Sequence, residues 1–198
     1  MAVAENRLRL GVGLALPAEP RWLTPVHGSV IAGADNAPGC EADGSYSDRP
    51  GVVCAVLTAD CLPVLLCDRA GREVAAVHAG WRGLAGGVIE AALDRFSAKT
   101  ADILAWLGPA IGPDAFEVGD EVREAFLADD PAAASAFRAT RPGHWLADLY
   151  ALARLRLARR GVTAVYGGGL CTYTDAERFY SFRREPVTGR MASLIWID

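Results

Sequence analysis

The chain contains Leu57-Thr-Ala-Asp-Cys-Leu-Pro-Val-Leu-Leu-Cys67, the loop Asp68-Arg-Ala-Gly71, and then Arg72-Glu-Val-Ala-Ala-Val-His-Ala-Gly-Trp-Arg-Gly83. Two apolar runs on either side of a short loop that ends in Gly predict an antiparallel hairpin. If Cys67 lies opposite Arg72, Cys61 faces His78, and facing residues place their Cβ atoms about 5 Å apart on one side of the sheet. A thiol and an imidazole at that separation can share one metal ion or one proton. A slip of one residue would put them on opposite sides.

Length and composition narrow the class of protein. The chain has 198 residues, 52% of them hydrophobic, and we expect residues 1–198 to form a single domain. The formal net charge of −4 indicates neither a nucleic acid partner nor a membrane surface. No apolar run is as long as a membrane span, and the first residues lack the pattern of a signal peptide. Five Cys, an odd number without disulfide-type spacing, predict a reduced, cytoplasmic protein.

Local patterns predict a mixture of helices and strands along the rest of the chain. We expect an initial strand or helix within 1–24, helices over 83–96, 119–127 and 146–160, and a short helix from Pro131. Strands are expected at 26–31, 51–57, 103–107, 162–166, 179–183 and 192–197. This mixture, with at least one hairpin, favours a mixed-sheet α/β or α+β domain over a doubly wound parallel sheet.

Candidate metal ligands are few, because the chain has only three His. His27 and His78 lie near Gly in short segments with strand character, and His78 faces Cys61 in the expected hairpin. A set of two His and one Cys suits zinc and leaves its fourth position open, as in catalytic sites. The alternative is that each of the three is a buried residue whose polar atoms are satisfied without a metal. Asp60 either orients a ligand from behind or caps its own turn.

Candidate anion-binding residues follow His78. Here a strand meets a helix at Gly83, which leaves backbone N–H groups and the Arg82 guanidinium available for a phosphate or a carboxylate. The alternative for Arg82 is a structural salt bridge to an acid such as Glu117. Arg183, in the run 180–184, and the run 188–190 offer further anion donors or are simply surface.

Several longer motifs occur together and in order. They are Thr-Ala-Asp-Cys-Leu-Pro-Val (58–64), His-Ala-Gly-Trp-Arg-Gly (78–83), Gly-Pro-Ala-Ile-Gly-Pro (108–113), Phe-Glu-Val-Gly (116–119), Cys-Thr (171–172), Tyr-Ser-Phe-Arg-Arg (180–184) and Thr-Gly-Arg-Met (188–191). From about residue 5 to its end, the chain resembles the YfiH-type laccase-domain family, also called the polyphenol oxidase or purine nucleoside phosphorylase family.

This resemblance implies a fold, a metal site and an activity. The fold is α+β, with mixed β-sheets packed between helices in four α/β/β/α layers. The family's metal site of two His and one Cys falls on His27, Cys61 and His78. Members resemble purine nucleoside phosphorylases that also deaminate adenosine and cleave methylthioadenosine, and some are linked to the editing of peptidoglycan precursors.

Two departures from the family pattern stand out. Members usually have several dozen further residues, including a Gly-rich segment, before the pair that is Asn6-Arg7 here. The position two residues before the first ligand His is usually Gln, and here it is Pro25. The first departure could remove a wall of the substrate pocket, and the second could alter a polar contact there.

The sequence thus predicts a zinc enzyme that acts on purine nucleosides and phosphate, with no nucleic acid or membrane partner. His27, Cys61 and His78 are its expected metal-binding and catalytic residues. Zinc would lower the pKa of a bound water for deamination. Arg82, Gly83 and Arg183 would bind substrate and phosphate, and Asp60 would orient a metal ligand without binding the metal itself.

Three other functions remain open. A copper laccase fits the two His and one Cys, although multicopper chemistry needs more than three His. A hydrolase with Cys61 as nucleophile and His78 as base suits peptidoglycan editing. A binding protein that keeps only the fold is the third.

Overall fold

The structure is a computed structural model that describes residues 2–33, 36 and 39–198. The helices are α1 Ala2–Gly13, α2 Trp81–Ala85, α3 Val88–Leu93, α4 Asp120–Leu127 and α5 Leu149–Arg159, with 3-10 turns at Thr100–Asp102 and Pro131–Ala136. The strands are β1 Ile31–Ala32, β2 Gly44–Ser47, β3 Cys54–Thr58, β4 Leu62–Asp68, β5 Val74–Ala79, β6 Ile103–Leu107, β7 Glu117–Gly119, β8 Phe137–Arg141, β9 His144–Ala147, β10 Ala164–Gly167 and β11 Met191–Ile195. Within the described ranges, no helix has the length and apolar character needed to cross a membrane.

The strands form three sheets. The largest has the order β1-β2-β5-β4-β6-β10, with parallel pairs at its two edges and antiparallel pairs between them. Strands β3 and β11 form an antiparallel pair, and β7, β9 and β8 form a small antiparallel sheet. The mixed-sheet α+β prediction is therefore confirmed.

Strand β5 lies at the centre of the fold because both of its faces are covered. Ala75, Val77 and Ala79 belong to the large apolar core beneath α3 and α5, whereas Val74 and Ala76 pack against β3. Since side chains alternate along a strand, His78 lies on the second face. All six residues of β5 are buried, so the backbone that carries His78 is fixed by packing on both sides of the sheet.

The hairpin of β4 and β5 is present, but its register differs from the expected one by two residues. Cys67 pairs with Val74 rather than with Arg72, and Pro63 lies opposite His78. The cause is Asp68, whose Oδ1 accepts the N–H groups of Arg72 and Glu73 at 2.6 and 2.9 Å. The loop therefore comprises residues 69–72 instead of the expected 68–71. A shift of two residues keeps every side chain on its original face.

Two predicted elements near the metal ligands are different in the structure. The strand expected at 26–31 is a loop in which His27 has a φ of +57°, because the Asp43 carboxylate accepts the N–H groups of His27 and Gly28. The helix expected at 83–96 is divided into α2 and α3, since Gly87 between them takes a φ of +86°.

Two further predictions fail for reasons that involve side chains. The run 179–183 is not a strand, because Phe179 gives its carbonyl oxygen to the guanidinium of Arg184 rather than to a neighbouring strand. The helix expected from 146 begins at Leu149, where the carboxylate of Asp148 accepts the N–H of Ala151, and the residues before it form β9.

Candidate metal centre

His27, Cys61 and His78 meet at one point. One ligand atom from each, a ring nitrogen or the sulfur, lies within 4.8 Å of the other two. The two imidazole rings are tilted by 59° with centroids 4.9 Å apart. The loop before β1, the turn before β4 and strand β5 supply one residue each. The register of the hairpin therefore differs from the prediction, while the convergence of the three side chains agrees with it.

A buried carboxylate, Asp43, holds both histidines. Its Oδ1 accepts the backbone N–H of His27 at 2.8 Å and lies 3.0 Å from Nδ1 of His78, and its Oδ2 accepts the N–H of Gly28 at 2.7 Å. When Nδ1 of His78 donates to this carboxylate, Nε2 keeps its lone pair for a metal. Asp43 thus orients a candidate ligand without binding the metal itself, which is the role that was expected of Asp60. No local pattern in the Gly- and Asp-rich run 33–50 distinguishes it.

Gly80 lies directly beside all three candidate ligands. A Cβ atom at this position would lie 3.0 Å from Sγ of Cys61, 3.2 Å from Nδ1 of His27 and 3.6 Å from Cε1 of His78. The absence of a side chain therefore leaves open the space on which all three candidate ligands converge. The shifted hairpin register explains this contact: Leu62 pairs with Ala79, so Gly80 rather than His78 is the next residue along towards Cys61.

The environment of Cys61 and His78 favours the neutral forms of these two side chains in the absence of a cation. Burial, with help from the Asp60 carboxylate, raises the pKa of the Cys61 thiol to about 11. Burial also lowers the pKa of His78, although Asp43 opposes this effect. A neutral imidazole is ready to bind a metal, whereas the thiol must first lose its proton. Two nitrogens and one sulfur are a donor set that fits zinc, and copper also accepts it.

The cluster opens into a cavity of about 240 Å³. His27, Cys61 and Gly80 lie on one side of this cavity, and the side chains of Arg82 and Arg183 also line it. Its remaining lining is mainly apolar and aromatic: Ala59, Trp81, Ile111, Phe116, Leu149 and Phe182, together with Asp60. The cavity therefore combines candidate metal ligands, cations and aromatic surface.

Two of the three predicted anion-binding residues, Arg82 and Arg183, line this cavity, whereas Gly83 does not. The guanidinium of Arg82 is exposed and stacks over the ring of Trp81 at 4.4 Å, while the carboxylate of Glu117 pairs with Arg141 instead. Arg82 therefore forms no salt bridge with Glu117 or with any other acidic residue that the structure describes. Arg183 stacks over Phe116 and donates from NH1 to the carbonyl oxygen of Glu117 at 3.0 Å.

Gly83 is buried where α2 meets the His27 loop. A Cβ on Gly83 would come within 2.7 Å of the carbonyl oxygen of Gly28, so this contact requires glycine. Gly83 therefore contributes through backbone proximity, which holds the helix that carries Arg82 against the loop that carries His27.

The hydrogen bonds of the Asp60 carboxylate run to residues other than the candidate metal ligands. Its Oδ1 accepts a hydrogen bond from Oγ1 of Thr172, and its Oδ2 accepts one from the backbone N–H of Arg183, each at 2.6 Å. The residue thus connects the turn of Cys61 with a distant segment of the chain.

Comparisons with known proteins agree with these features. The family model of multi-copper polyphenol oxidoreductase laccase matches residues 1–198. A purine nucleoside phosphorylase of Pseudomonas aeruginosa is 55% identical over 198 residues, which are 100% of this chain and 81% of that protein. The purine nucleoside phosphorylase YfiH of Escherichia coli is 56% identical over 197 residues, 98% of this chain and 81% of that protein. A crystal structure of a DUF152 protein from Neisseria meningitidis has a TM-score of 0.96 at 50% identity, and the match covers 100% of this chain and 81% of that one.

Proposed function

This chain belongs to the multi-copper polyphenol oxidoreductase laccase family, as its YfiH-type motifs predict, and on that basis we propose that it is a zinc-dependent purine nucleoside phosphorylase. In phosphorolysis an oxygen of inorganic phosphate bonds to C1′ of the ribose while the bond from C1′ to the purine nitrogen breaks. The base leaves with the bonding electrons and takes up a proton. The names of the relatives support this substrate class.

One cavity carries the proposal, because it places candidate metal ligands and two guanidinium groups around a space of about 240 Å³. A guanidinium offers a forked set of donors that suits phosphate oxygens. The ring of Phe182, half-exposed at the cavity, offers a flat apolar surface to a purine. A nucleoside needs such a surface, and its phosphate co-substrate needs the cations.

Each residue then has a defined task. Arg82 and Arg183 bind the phosphate, and Gly83 keeps the start of α2 close to the His27 loop. His27, Cys61 and His78 contribute to catalysis by holding the metal. A zinc ion bound there supplies a Lewis acid next to the substrate.

Two further reactions of the same cavity are part of the proposal. In adenosine deamination, water adds to the ring carbon that bears the amino group, and ammonia leaves. In cleavage of methylthioadenosine, phosphate attacks the sugar as it does in adenosine. All five cysteines are free, which supports a reducing compartment such as the cytoplasm as the place of these reactions.

The test combines elemental analysis with a purine-release assay. Purified protein is analysed for zinc and copper and then assayed with adenosine in the presence and absence of phosphate, before and after chelation. We expect stoichiometric zinc, phosphate-dependent release of adenine, phosphate-independent formation of inosine, and loss of both activities on chelation. Full activity after chelation would instead support the cysteine hydrolase, and stoichiometric copper with phenol oxidation would support a laccase.

Variants of the ligands sharpen this test. Cys61→Ala and His78→Ala should abolish activity while circular dichroism shows a folded chain, because both residues serve the metal more than the packing. Cys40→Ala, which removes a partly exposed thiol that is not a candidate ligand, is the matched control and should keep wild-type activity. Near wild-type turnover of either ligand variant would contradict the assignment.

A further inference from the structure

Residues 171–190, called here the closing segment, form one wall of the cavity. They form most of the connection between β10 and β11 and contain neither a helix nor a strand. Phe182 and Arg183 from this segment line the same cavity as His27 and Cys61. Twenty residues without a helix or a strand keep a defined position only if hydrogen bonds and packing contacts of other kinds fix them. The bonds that hold the closing segment therefore determine where Phe182 and Arg183 lie.

Arg184 holds the closing segment together from within. Its NH1 donates to the carbonyl oxygens of Thr172 and Tyr173 at 2.7 and 2.9 Å, and its NH2 donates to that of Phe179 at 2.8 Å. Thr172 and Ser181 are fully buried, so the segment has a small interior of its own. Its two halves are therefore linked to each other, and a bond at one end constrains the other.

Asp60 attaches this unit to the turn that carries Cys61. Each of its carboxylate oxygens accepts one hydrogen bond from the segment, from Oγ1 of Thr172 and from the N–H of Arg183, both at 2.6 Å. Asp60 also has a φ of +89°, which is uncommon for a residue with a side chain. Backbone strain of this kind persists only where surrounding contacts maintain it.

The closing segment is anchored differently near Cys171 and near Arg183. Near Cys171, the Thr172 N–H donates to the carbonyl oxygen of Ala110 and the Gly112 N–H donates to Sγ of Cys171. At Arg183, the bonds to the remainder of the chain run to Asp60 and to the carbonyl oxygen of Glu117. Loss of the hydrogen bonds to Asp60 should therefore increase the mobility of the backbone around Arg183 more than that of the backbone around Cys171.

We infer that Asp60 is a positioning residue, which places Phe182 and Arg183 beside the metal ligands and thereby sets the affinity for substrate rather than for the metal. The kinetic part of this inference rests on the proposed phosphorolysis, whereas its structural part does not. The same carboxylate that was expected to support a metal ligand thus serves the opposite wall of the cavity.

Three substitutions test the inference by hydrogen-deuterium exchange of the zinc-loaded protein. Thr172→Val removes the hydroxyl donor at nearly constant shape, Thr172→Ser keeps it, and Asp60→Asn leaves one acceptor oxygen for two donors. We expect about tenfold faster exchange at 181–185 in the Val and Asn variants, the size of effect that loss of a hydrogen bond to a charged group produces. The Ser variant should exchange like the wild type. The exposed residues Thr163 and Asp102 provide matched controls, Thr163→Val and Asp102→Asn.

Metal affinity and kinetics complete the test. Thr172→Val should bind zinc as tightly as the wild type but show a KM for adenosine about tenfold higher, with kcat changed less. Unchanged exchange at 181–185 in both variants, or zinc affinity lost in Thr172→Val, would overturn the inference. Absence of phosphorolysis in the wild type would count against the proposed function alone, because the exchange result does not depend on it.

Discussion

Asp43 and His78 are joined at two places. Oδ1 of Asp43 lies 3.0 Å from Nδ1 of His78, and the backbone N–H of His78 donates to the carbonyl oxygen of Asp43 at 2.7 Å. The first contact fixes the orientation of the imidazole and the second fixes the strand beneath it. Because the same carboxylate also accepts the N–H of His27, one residue orders two of the three candidate ligands before a metal arrives.

Asp43→Asn should weaken zinc binding by about 10- to 100-fold, the usual effect of removing a carboxylate that orients a ligand histidine. The Asn amide cannot accept the N–H of Gly28 and at the same time the bonds that reach Oδ1. Competition with a chromophoric chelator measures the dissociation constant, and substitution with cobalt reports any change of ligand geometry. Asp102→Asn is the control, and equal affinities of the two variants would refute the role of Asp43.

Gly80→Ala should lower zinc affinity by about tenfold while leaving the chain folded. Gly80 has φ −64° and ψ 159°, a conformation that alanine adopts freely, so the backbone is not strained. The new methyl group would instead press on Sγ of Cys61 and Nδ1 of His27. Calorimetric zinc titration measures the effect. Gly11→Ala, where a Cβ meets nothing within 4 Å, is the control, and a Gly80 variant that binds zinc like this control would exclude the crowding.

Arg82→Lys should raise the apparent KM for phosphate about tenfold while deamination by water is largely spared, because an ammonium lacks the forked donors of a guanidinium. The Tm should not change, since the Arg82 side chain is exposed and its contact within the described part of the chain is stacking on the Trp81 ring. Arg141→Lys, which alters the arginine that pairs with Glu117, is the control. Parallel loss of both reactions with a lowered Tm would identify Arg82 as structural.

Asp68→Ala should destabilise the fold by ~1–3 kcal/mol, because it leaves the N–H groups of Arg72 and Glu73 without their acceptor. Burial alone would raise the pKa of Asp68, but these N–H groups outweigh it and the pKa is lowered. The contribution is therefore complete above the ordinary pKa of 3.8 and is lost as the pH falls through the lower value of the folded state.

Urea unfolding of the Asp68 variant between pH 7 and pH 2.5 checks this dependence. The difference in free energy of unfolding from the wild type should be constant near neutrality and shrink at acidic pH, with exposed Asp102→Ala as the control. A difference that does not vary with pH would show that the carboxylate charge plays no part in the turn.

Much of the fold follows from patterns that neighbouring residues create. The hairpin of β4 and β5, strand β6 and helix α4 agree with their predictions, because alternation, apolar runs and helix starts are local properties of the chain. The predictions fail where a distant side chain intervenes. The carboxylate of Asp43 turns the His27 segment into a loop, and the guanidinium of Arg184 takes backbone acceptors that a strand would have used.

By itself the sequence determined which residues could serve as ligands, since it has only three His and places Cys61 close to His78 in the expected hairpin. Alternation also put Cys61 and His78 on one face, whichever of the two registers the hairpin took. The family resemblance names His27 as the third ligand, and the tertiary structure brings it to the other two. Only the tertiary structure decided that Asp43 orients the histidines and that Asp60 serves the closing segment. Asp60 and Arg183 are 123 positions apart, and a contact across that separation depends on how the whole core packs rather than on any local pattern.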